Sequence, residues 1–320
     1  MRGTRAVRTL TLATAILGRT GFAATRLGFG AMEIGGIAGE LSAGQVERLL
    51  HGVLDAGINL IDTAPDYRAS EELIGRHLAG RRAEFFLASK CGCLVDREPV
   101  LRDGRLEHDF SPGNVRAGVE QSLRRLRTDH LDLVQVHSSP SRAVLEANGT
   151  VEAMRELQRE GKVRFLGMSS VLPDLRDHLS MNVFDVFQLP WSALQPEHED
   201  VLREAAASGA GTIVRGGVAR GSPDLAPDHQ SSQPFWQQFV RVRRDLWQRA
   251  ALDELAGGEN RTAFLLRFAL ANEALHTTIV GTSKPEHLAA NVAAARLGPL
   301  SPELVRETKR RVAAALAAAA

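Results

Sequence analysis

Apolar positions recur along this chain at two alternating intervals. After Ser42 and Gln45, spaced as a capping box, Val46, Leu49, Leu50, Val53 and Leu54 hold the helical period until Gly57 ends the run. A short apolar stretch at 58–62 then reads as a strand. Leu73, Ile74, His77 and Leu78 form the next helical face, and 85–90 the next strand. Ser111 and Pro112 open a helix striped by Val115, Val119, Leu123 and Leu126, which leads to a strand at 131–137. Thr150 and Gly161 bracket another helix before a strand at 163–169. Shorter copies follow: a helix after Pro173, a strand at 186–189, a helix at 197–208 and a strand at 212–215. The last are a helix at 262–271, a strand at 277–280 and a helix from Pro285.

Ahead of this series, 16–18 and 22–27 flank Arg19, Thr20 and Gly21 as a short hairpin, and a first barrel strand is expected near 27–30. Eight strand and helix pairs with continuous apolar strands predict a parallel sheet covered on its outside by helices. Closure into an α/β (β/α)8 TIM barrel is favoured over an open doubly wound sheet, because Gly30 is followed by Ala31, Met32 and Glu33 rather than a glycine-rich phosphate loop. The chain is read as an N-terminal extension at 1–15 and a single barrel domain at 16–320. Two connections, 94–110 and 218–261, lack strong periodicity and read as rim loops over a site. Phe235, Trp236, Phe239 and Trp247 in the second would either wall a substrate pocket or anchor the loop.

The 320 residues suffice for one such domain. A net charge of +1 with interspersed signs offers no basic stripe for nucleic acid and no polybasic cluster for a membrane, so a small-molecule partner is expected. No apolar run approaches the length of a membrane span. Cys91 and Cys93 are too close for a disulfide framework and too few for a zinc site, so reduced thiols in a cytoplasm and no bound metal are expected. Arginine outnumbers lysine 35 to four, and Tyr67 is the single tyrosine.

Asp62, Lys90 and His137 each end an expected strand, and Tyr67 lies five residues beyond Asp62. In a barrel those ends converge on one rim. Each residue alone has an ordinary structural explanation, but none of those explanations requires all four at the same end of three successive strands. The stretch Ile61-Asp62-Thr63-Ala64-Pro65-Asp66-Tyr67, with Ser70-Glu71 and Leu73-Ile74-Gly75, resembles the aldo-keto reductase superfamily. So do Ala88-Ser89-Lys90, Leu131 to His137, Leu17 to Gly21, and Gly281-Thr282-Ser283 with Asn291; the resemblance spans about 17 to 292.

That resemblance implies a carbonyl reductase. Tyr67 would protonate the carbonyl oxygen, Lys90 would lower the tyrosine pKa, Asp62 would hold Lys90, and His137 would orient the carbonyl. It also implies a nicotinamide site in which Ser169, Ser170 and Gln188 hold the amide and Trp191 stacks on the ring, with Ala31, Met32 and Asp62 beside it. The family more often has Asn at position 170 and Tyr at 191. Gly216, Gly217 and Gly221 would admit the pyrophosphate, paired by Arg215 or Arg220. Gly281, Thr282, Ser283, Lys284, His287 and Asn291 would take the adenosine end. Ser283 and Lys284 favour a 2′-phosphate, hence NADPH, although Glu286 opposes it, family members often carry Arg at 287, and Ala290 replaces a frequent Glu. The alternatives are an NAD-dependent sugar or secondary-alcohol dehydrogenase and a nicotinamide-binding regulator with little turnover.

Overall fold

In a computed structural model that describes residues 11–36, 41–97, 100–102, 105–224 and 234–319, the capping box forms as its spacing requires. The Ser42 backbone N–H donates to Gln45 Oε1 at 2.9 Å and starts helix α1 (Ala43–Asp55), whose apolar stripe Val46, Leu49, Leu50, Val53 and Leu54 is buried. Ser111 likewise accepts from the Asn114 N–H and starts α3 (Pro112–Leu126), with Pro112 in its first turn.

The remaining helices are α2 (Ser70–Leu78), α4 (Arg142–Asn148), α5 (Thr150–Arg159), α6 (Asp174–Ser180), α7 (Glu199–Ala207), α8 (Pro234–Arg249), α9 (Leu252–Ala256), α10 (Arg261–Leu270), α11 (Pro285–Leu297) and α12 (Pro302–Ala317). No described helix is long and apolar enough to cross a membrane.

Twelve strands are described. β1 (Thr14–Ile16) and β2 (Ala23–Thr25) form the antiparallel N-terminal hairpin. It begins two residues earlier than expected, because Thr14 pairs with Thr25 and Leu12 packs into the core. Residues 1–10 of the expected extension lie outside the described residues, while Leu12 and Thr14–Ile16 belong to the fold. β3 (Leu27–Gly30), β4 (Leu60–Asp62), β5 (Phe86–Cys91), β8 (Leu131–Val136), β9 (Val163–Ser169), β10 (Val186–Pro190), β11 (Gly211–Arg215) and β12 (Thr277–Val280) close into an eight-stranded parallel barrel in chain order. β6 (Leu101–Arg102) and β7 (Arg105–Leu106) make a small hairpin inside the first rim connection.

Two apolar layers hold the barrel. Leu17, Ala24, Leu60, Phe86, Ala88, Leu133, Val186 and Ile213 fill its interior, with Leu17 of the hairpin closing one end. A larger cluster joins the outer faces of the strands to the helices. Such filled barrels leave the C-terminal strand ends as the place where polar chemistry gathers.

The second connection is not the aperiodic loop expected at 218–261. It carries α8 and α9, and Trp247 is fully buried there, donating from Nε1 to Asp253 Oδ1 at 3.0 Å and standing edge-on to Phe264. Trp247 therefore anchors this segment rather than walling a pocket. Phe239 lies under the Arg243 guanidinium, 3.4 Å from the ring centroid. The side chains of Phe235 and Trp236 lie outside the described residues.

Candidate active site

Asp62 ends β4 and Lys90 lies near the end of β5, so adjacent parallel strands set them side by side. Both are buried. Lys90 Nζ donates to Asp62 Oδ1 and Oδ2 at 2.9 and 2.8 Å and to the Thr63 carbonyl at 2.8 Å, which uses all three ammonium protons. Asp62 Oδ1 also accepts from Gln135 Nε2 and Gln188 Nε2, each at 2.9 Å. Burial disfavours the ammonium, but the Asp62 charge, the neighbouring Tyr67 and the Asp62 hydrogen bonds together outweigh it and hold Lys90 above the usual lysine value.

Tyr67 follows in the loop after β4, its ring centroid 5.4 Å from Lys90 Nζ and 6.1 Å from the His137 ring. Burial pushes its hydroxyl above the ordinary tyrosine value, and the Lys90 charge offsets only part of that rise. The net lowering of the tyrosine pKa expected from the sequence is thus reversed: desolvation exceeds the pull of an ammonium already paired with Asp62. A tyrosine so placed is protonated near neutral pH. His137 sits just past β8, its N–H donating to the Cys91 carbonyl at 3.1 Å, and burial pushes its pKa down to about 4, leaving a neutral ring.

The loop carrying Tyr67 is braced from beneath. Ser70 Oγ donates to the Ala31 carbonyl at 2.8 Å and meets Thr63 Oγ1 at 2.9 Å, while Glu71, fully buried, accepts from Ser89 Oγ at 2.7 Å. The Ser70-Glu71 pair is therefore a structural strut for Tyr67.

The residues expected to hold a nicotinamide gather at the neighbouring strand ends. Ser169, Gln188 and Arg215 end or nearly end β9, β10 and β11. Gln188 Nε2 is committed to Asp62, and its Oε1 accepts from Ser169 Oγ at 3.4 Å. Ser170 is turned inward, its Oγ 2.9 Å from Ser139 Oγ and 2.8 Å from His178 Nδ1. Trp191 stacks on Phe268 at 5.5 Å, and its buried Nε1 has no hydrogen-bond partner among the described residues. Ala31 is buried, its N–H donating to the Asp62 carbonyl at 2.8 Å, and Met32 opens the next turn.

Gly216 has φ +72° and nothing within 4 Å of where a Cβ would stand, so the backbone there borders open space. A Cβ on Gly217 would instead meet Thr278 Oγ1 at 2.6 Å, so that glycine is required by packing on the barrel. Arg220 and Gly221 lie in the left-handed region, and Arg220 Nη2 pairs with Glu33 Oε1 at 3.4 Å, bridging the loops after β3 and β11. Gly281, Thr282 and Ser283 lead into α11. No side chain caps that helix, Thr282 Oγ1 holds the Lys284 N–H at 3.0 Å, and Lys284, Glu286 and His287 are exposed around its start, while Asn291 is buried in it. An open glycine turn, an orphaned indole N–H and an uncapped helix start beside a lysine suit a dinucleotide with ring and phosphate ends.

Four polar side chains that the sequence reading did not assign to a site also converge here: Asp66, Cys93, His108 and Gln135. Cys93 and His108 pair across an isolated antiparallel bridge. That return depends on Gly92, whose φ is +94° and whose Cβ would stand 2.3 Å from the Phe110 ring stacked on His108.

The aldo/keto reductase family model matches residues 26–311. The chain belongs to the aldo/keto reductase family. It is 26% identical over 290 residues to L-galactose dehydrogenase of Arabidopsis thaliana, covering 87% of this chain and 86% of that protein. It is 29% identical over 302 residues to the NADH-specific methylglyoxal reductase of Escherichia coli K12, covering 87% and 92%. Its fold is similar to the holo form of aldo-keto reductase AKR11C1 from Bacillus halodurans, with a TM-score of 0.79 and 27% identity over 94% of this chain and 96% of that one. As a family member this aldo/keto reductase is an oxidoreductase on a (β/α)8 barrel, of a kind that works with a nicotinamide cofactor.

Proposed function

We propose that this aldo/keto reductase uses NADPH to reduce an aldehyde or ketone, sugar-like substrates included, to the alcohol, with Tyr67 as the general acid. The observation that carries this reading is the buried Asp62–Lys90 pair beside the single tyrosine, with a neutral His137 edge-on to that ring. When bound, the reduced nicotinamide supplies the hydride for the carbonyl carbon.

The chain's own residues then manage one proton. The Tyr67 hydroxyl gives its proton to the carbonyl oxygen, completing the alcohol O–H bond and leaving a tyrosinate. Lys90 stands near enough to stabilise that new charge, and Asp62 keeps Lys90 charged in a buried site where an unpaired ammonium would tend to neutralise. His137 orients the carbonyl through its ring N–H. Trp191, Ser169, Ser170 and Gln188 are assigned to the nicotinamide end, with Ala31 and Met32. Arg215, Gly216, Gly217, Arg220 and Gly221 are assigned to the pyrophosphate, and Ser283, Lys284, His287 and Asn291 to the adenosine end.

The choice of NADPH rests on Lys284, which is exposed at the start of α11 and carries no ion pair among the described residues. Lys284→Ala should weaken NADPH binding by about 1.5 to 3 kcal/mol, the range for hydrogen bonds to charged groups, and leave NADH binding nearly unchanged. Fluorescence titration of both cofactors measures this. A carbonyl panel read at the nicotinamide absorbance tests the reaction. Comparable losses for both cofactors would assign Lys284 to the helix start instead.

The competing reading is an NAD-dependent sugar or secondary-alcohol dehydrogenase. Glu286, exposed in the same helical turn as Lys284, favours it by repelling a 2′-phosphate, and two relatives of this chain are named for sugar oxidation and for NADH. Wild-type preference for NADH with an alcohol substrate would select it. A regulator with little turnover is excluded by steady reduction of any carbonyl in the panel.

A further inference from the structure

Asp66, Cys93, His108 and His137 each offer one donor atom, and all four atoms lie within 4.8 Å of one another. Asp66 Oδ2 is 3.1 Å from His108 Nε2 and 3.3 Å from His137 Nδ1. Cys93 Sγ is 3.3 Å from His137 Nδ1 and 4.0 Å from His108 Nε2, and the two ring nitrogens are 3.3 Å apart.

His108 Nδ1 stands 2.8 Å from the Leu106 carbonyl, which only accepts, so that nitrogen carries the proton and a neutral His108 turns a bare Nε2 inward. That lone pair faces the Asp66 carboxylate. Asp66 Oδ2 is itself buried, and among the described residues its close partners include the His108 and His137 rings, met without well-aligned hydrogen bonds. The Ser138 hydroxyl, 3.1 Å from His108 Nε2, can donate to that lone pair when no metal is bound.

A tetrahedral zinc ion holds nitrogen and oxygen at about 2.0–2.2 Å and sulfur at about 2.3 Å, which sets nitrogen or oxygen ligands roughly 3.3 Å apart and nitrogen and sulfur roughly 3.6 Å apart. The nitrogen–oxygen and nitrogen–nitrogen separations of 3.1 to 3.3 Å lie near the first value, and the nitrogen–sulfur separations of 3.3 and 4.0 Å fall on either side of the second. The donor set of one thiolate, two imidazoles and one carboxylate is one that zinc accepts, and the His108 Nδ1–H bond to a backbone carbonyl is the outer support typical of a metal-bound histidine.

We propose that Asp66, Cys93, His108 and His137 form a binding site for one zinc ion. With four protein ligands the tetrahedron is complete, so the ion does not touch substrate. Its consequence for reduction rests on the proposed role of His137: a metal on Nδ1 places the proton of the neutral ring on Nε2, the nitrogen left to donate to a carbonyl oxygen. Cys93, one of two cysteines too few for a zinc site by themselves, is joined by ligands from the Tyr67 loop, from the return at His108 and from the residue after β8. Binding zinc releases the Cys93 thiol proton to solvent and changes no oxidation state.

The test uses the full untagged chain, saturated with zinc chloride, desalted and analysed for metal by plasma mass spectrometry, with cobalt(II) replacing zinc for spectroscopy. One ion per chain is expected, and the cobalt form should show tetrahedral bands with thiolate charge transfer. Cys93→Ala and His108→Ala should each bind zinc roughly tenfold or more weakly, while Cys91→Ala keeps full occupancy. Absence of stoichiometric metal in the folded wild type, or unchanged affinity in a folded Cys93→Ala or His108→Ala chain, overturns the site. If Cys93→Ala does not fold, His108→Ala and the cobalt spectrum of the wild type decide it. Metal content is read without turnover, so an inactive chain that holds one zinc would count against the carbonyl reduction and not against this site.

Discussion

Tyr67→Phe is expected to bind NADPH with nearly wild-type affinity, to keep its melting temperature, and to lose roughly 10² to 10⁴ in kcat/KM for carbonyl reduction, the usual contribution of a positioned acid. The substitution removes one oxygen and leaves the ring between Lys90 and His137. No other phenol exists in the chain to replace it. The loss should fall on kcat more than on KM, because the proton moves only in the transition state. Unchanged turnover would remove Tyr67 from the mechanism, whereas a large loss of cofactor affinity would give its ring a binding role.

Lys90→Met is expected to abolish reduction and to cost about 3 to 5 kcal/mol of stability, the range for breaking a buried ion pair by removing one partner. Lys90 is fully buried and supplies both Asp62 oxygens with their charged hydrogen bonds. Gln135 and Gln188 remain as neutral donors to Oδ1 and compensate only in part. Adding Asp62→Leu should recover much of the stability, since an apolar pair of similar volume replaces a pair that was costly to desolvate, yet activity should stay absent. Denaturant unfolding of the two variants measures the first effect, and a turnover assay the second. A stable and active Lys90→Met chain would mean that the Asp62–Lys90 pair is dispensable for both fold and chemistry.

The barrel was legible in the sequence because its strands are short continuous apolar runs and its inner helices carry strong stripes. α1 and α3 begin where Ser42 and Ser111 predict. What escaped notice had weaker patterning. α12 buries only Thr308, Val312 and Ala315 along sixteen residues, and α4 buries only Leu145, so neither shows a clear stripe. α8 and α9 do not stand out in the sequence because Gly and Pro punctuate their surroundings, although Leu246 and Trp247 are buried anchors.

The same distinction holds at the site. Asp62, Lys90 and His137 were visible because strand ends are periodic landmarks, and the structure brings them together around Tyr67. His108 was hidden in an aperiodic connection, and its position depends on a bridge to Cys93 across fifteen residues. Asp66 was overshadowed by Tyr67 beside it. The direction of the Tyr67 pKa is not legible in the sequence because burial, which a sequence does not report, outweighs the charge of a lysine it does report.

The central claim is hydride delivery to a carbonyl carbon with proton delivery by Tyr67, and isotope transfer tests it most directly. NADPH deuterated at the transferring position of its nicotinamide should give, from a reducible aldehyde or ketone, an alcohol carrying one deuterium on the former carbonyl carbon. Tyr67→Phe should form that product far more slowly at saturating cofactor. Consumption of NADPH without deuterated alcohol, or failure of the cofactor-bound wild type to reduce any carbonyl in the panel, would contradict the account.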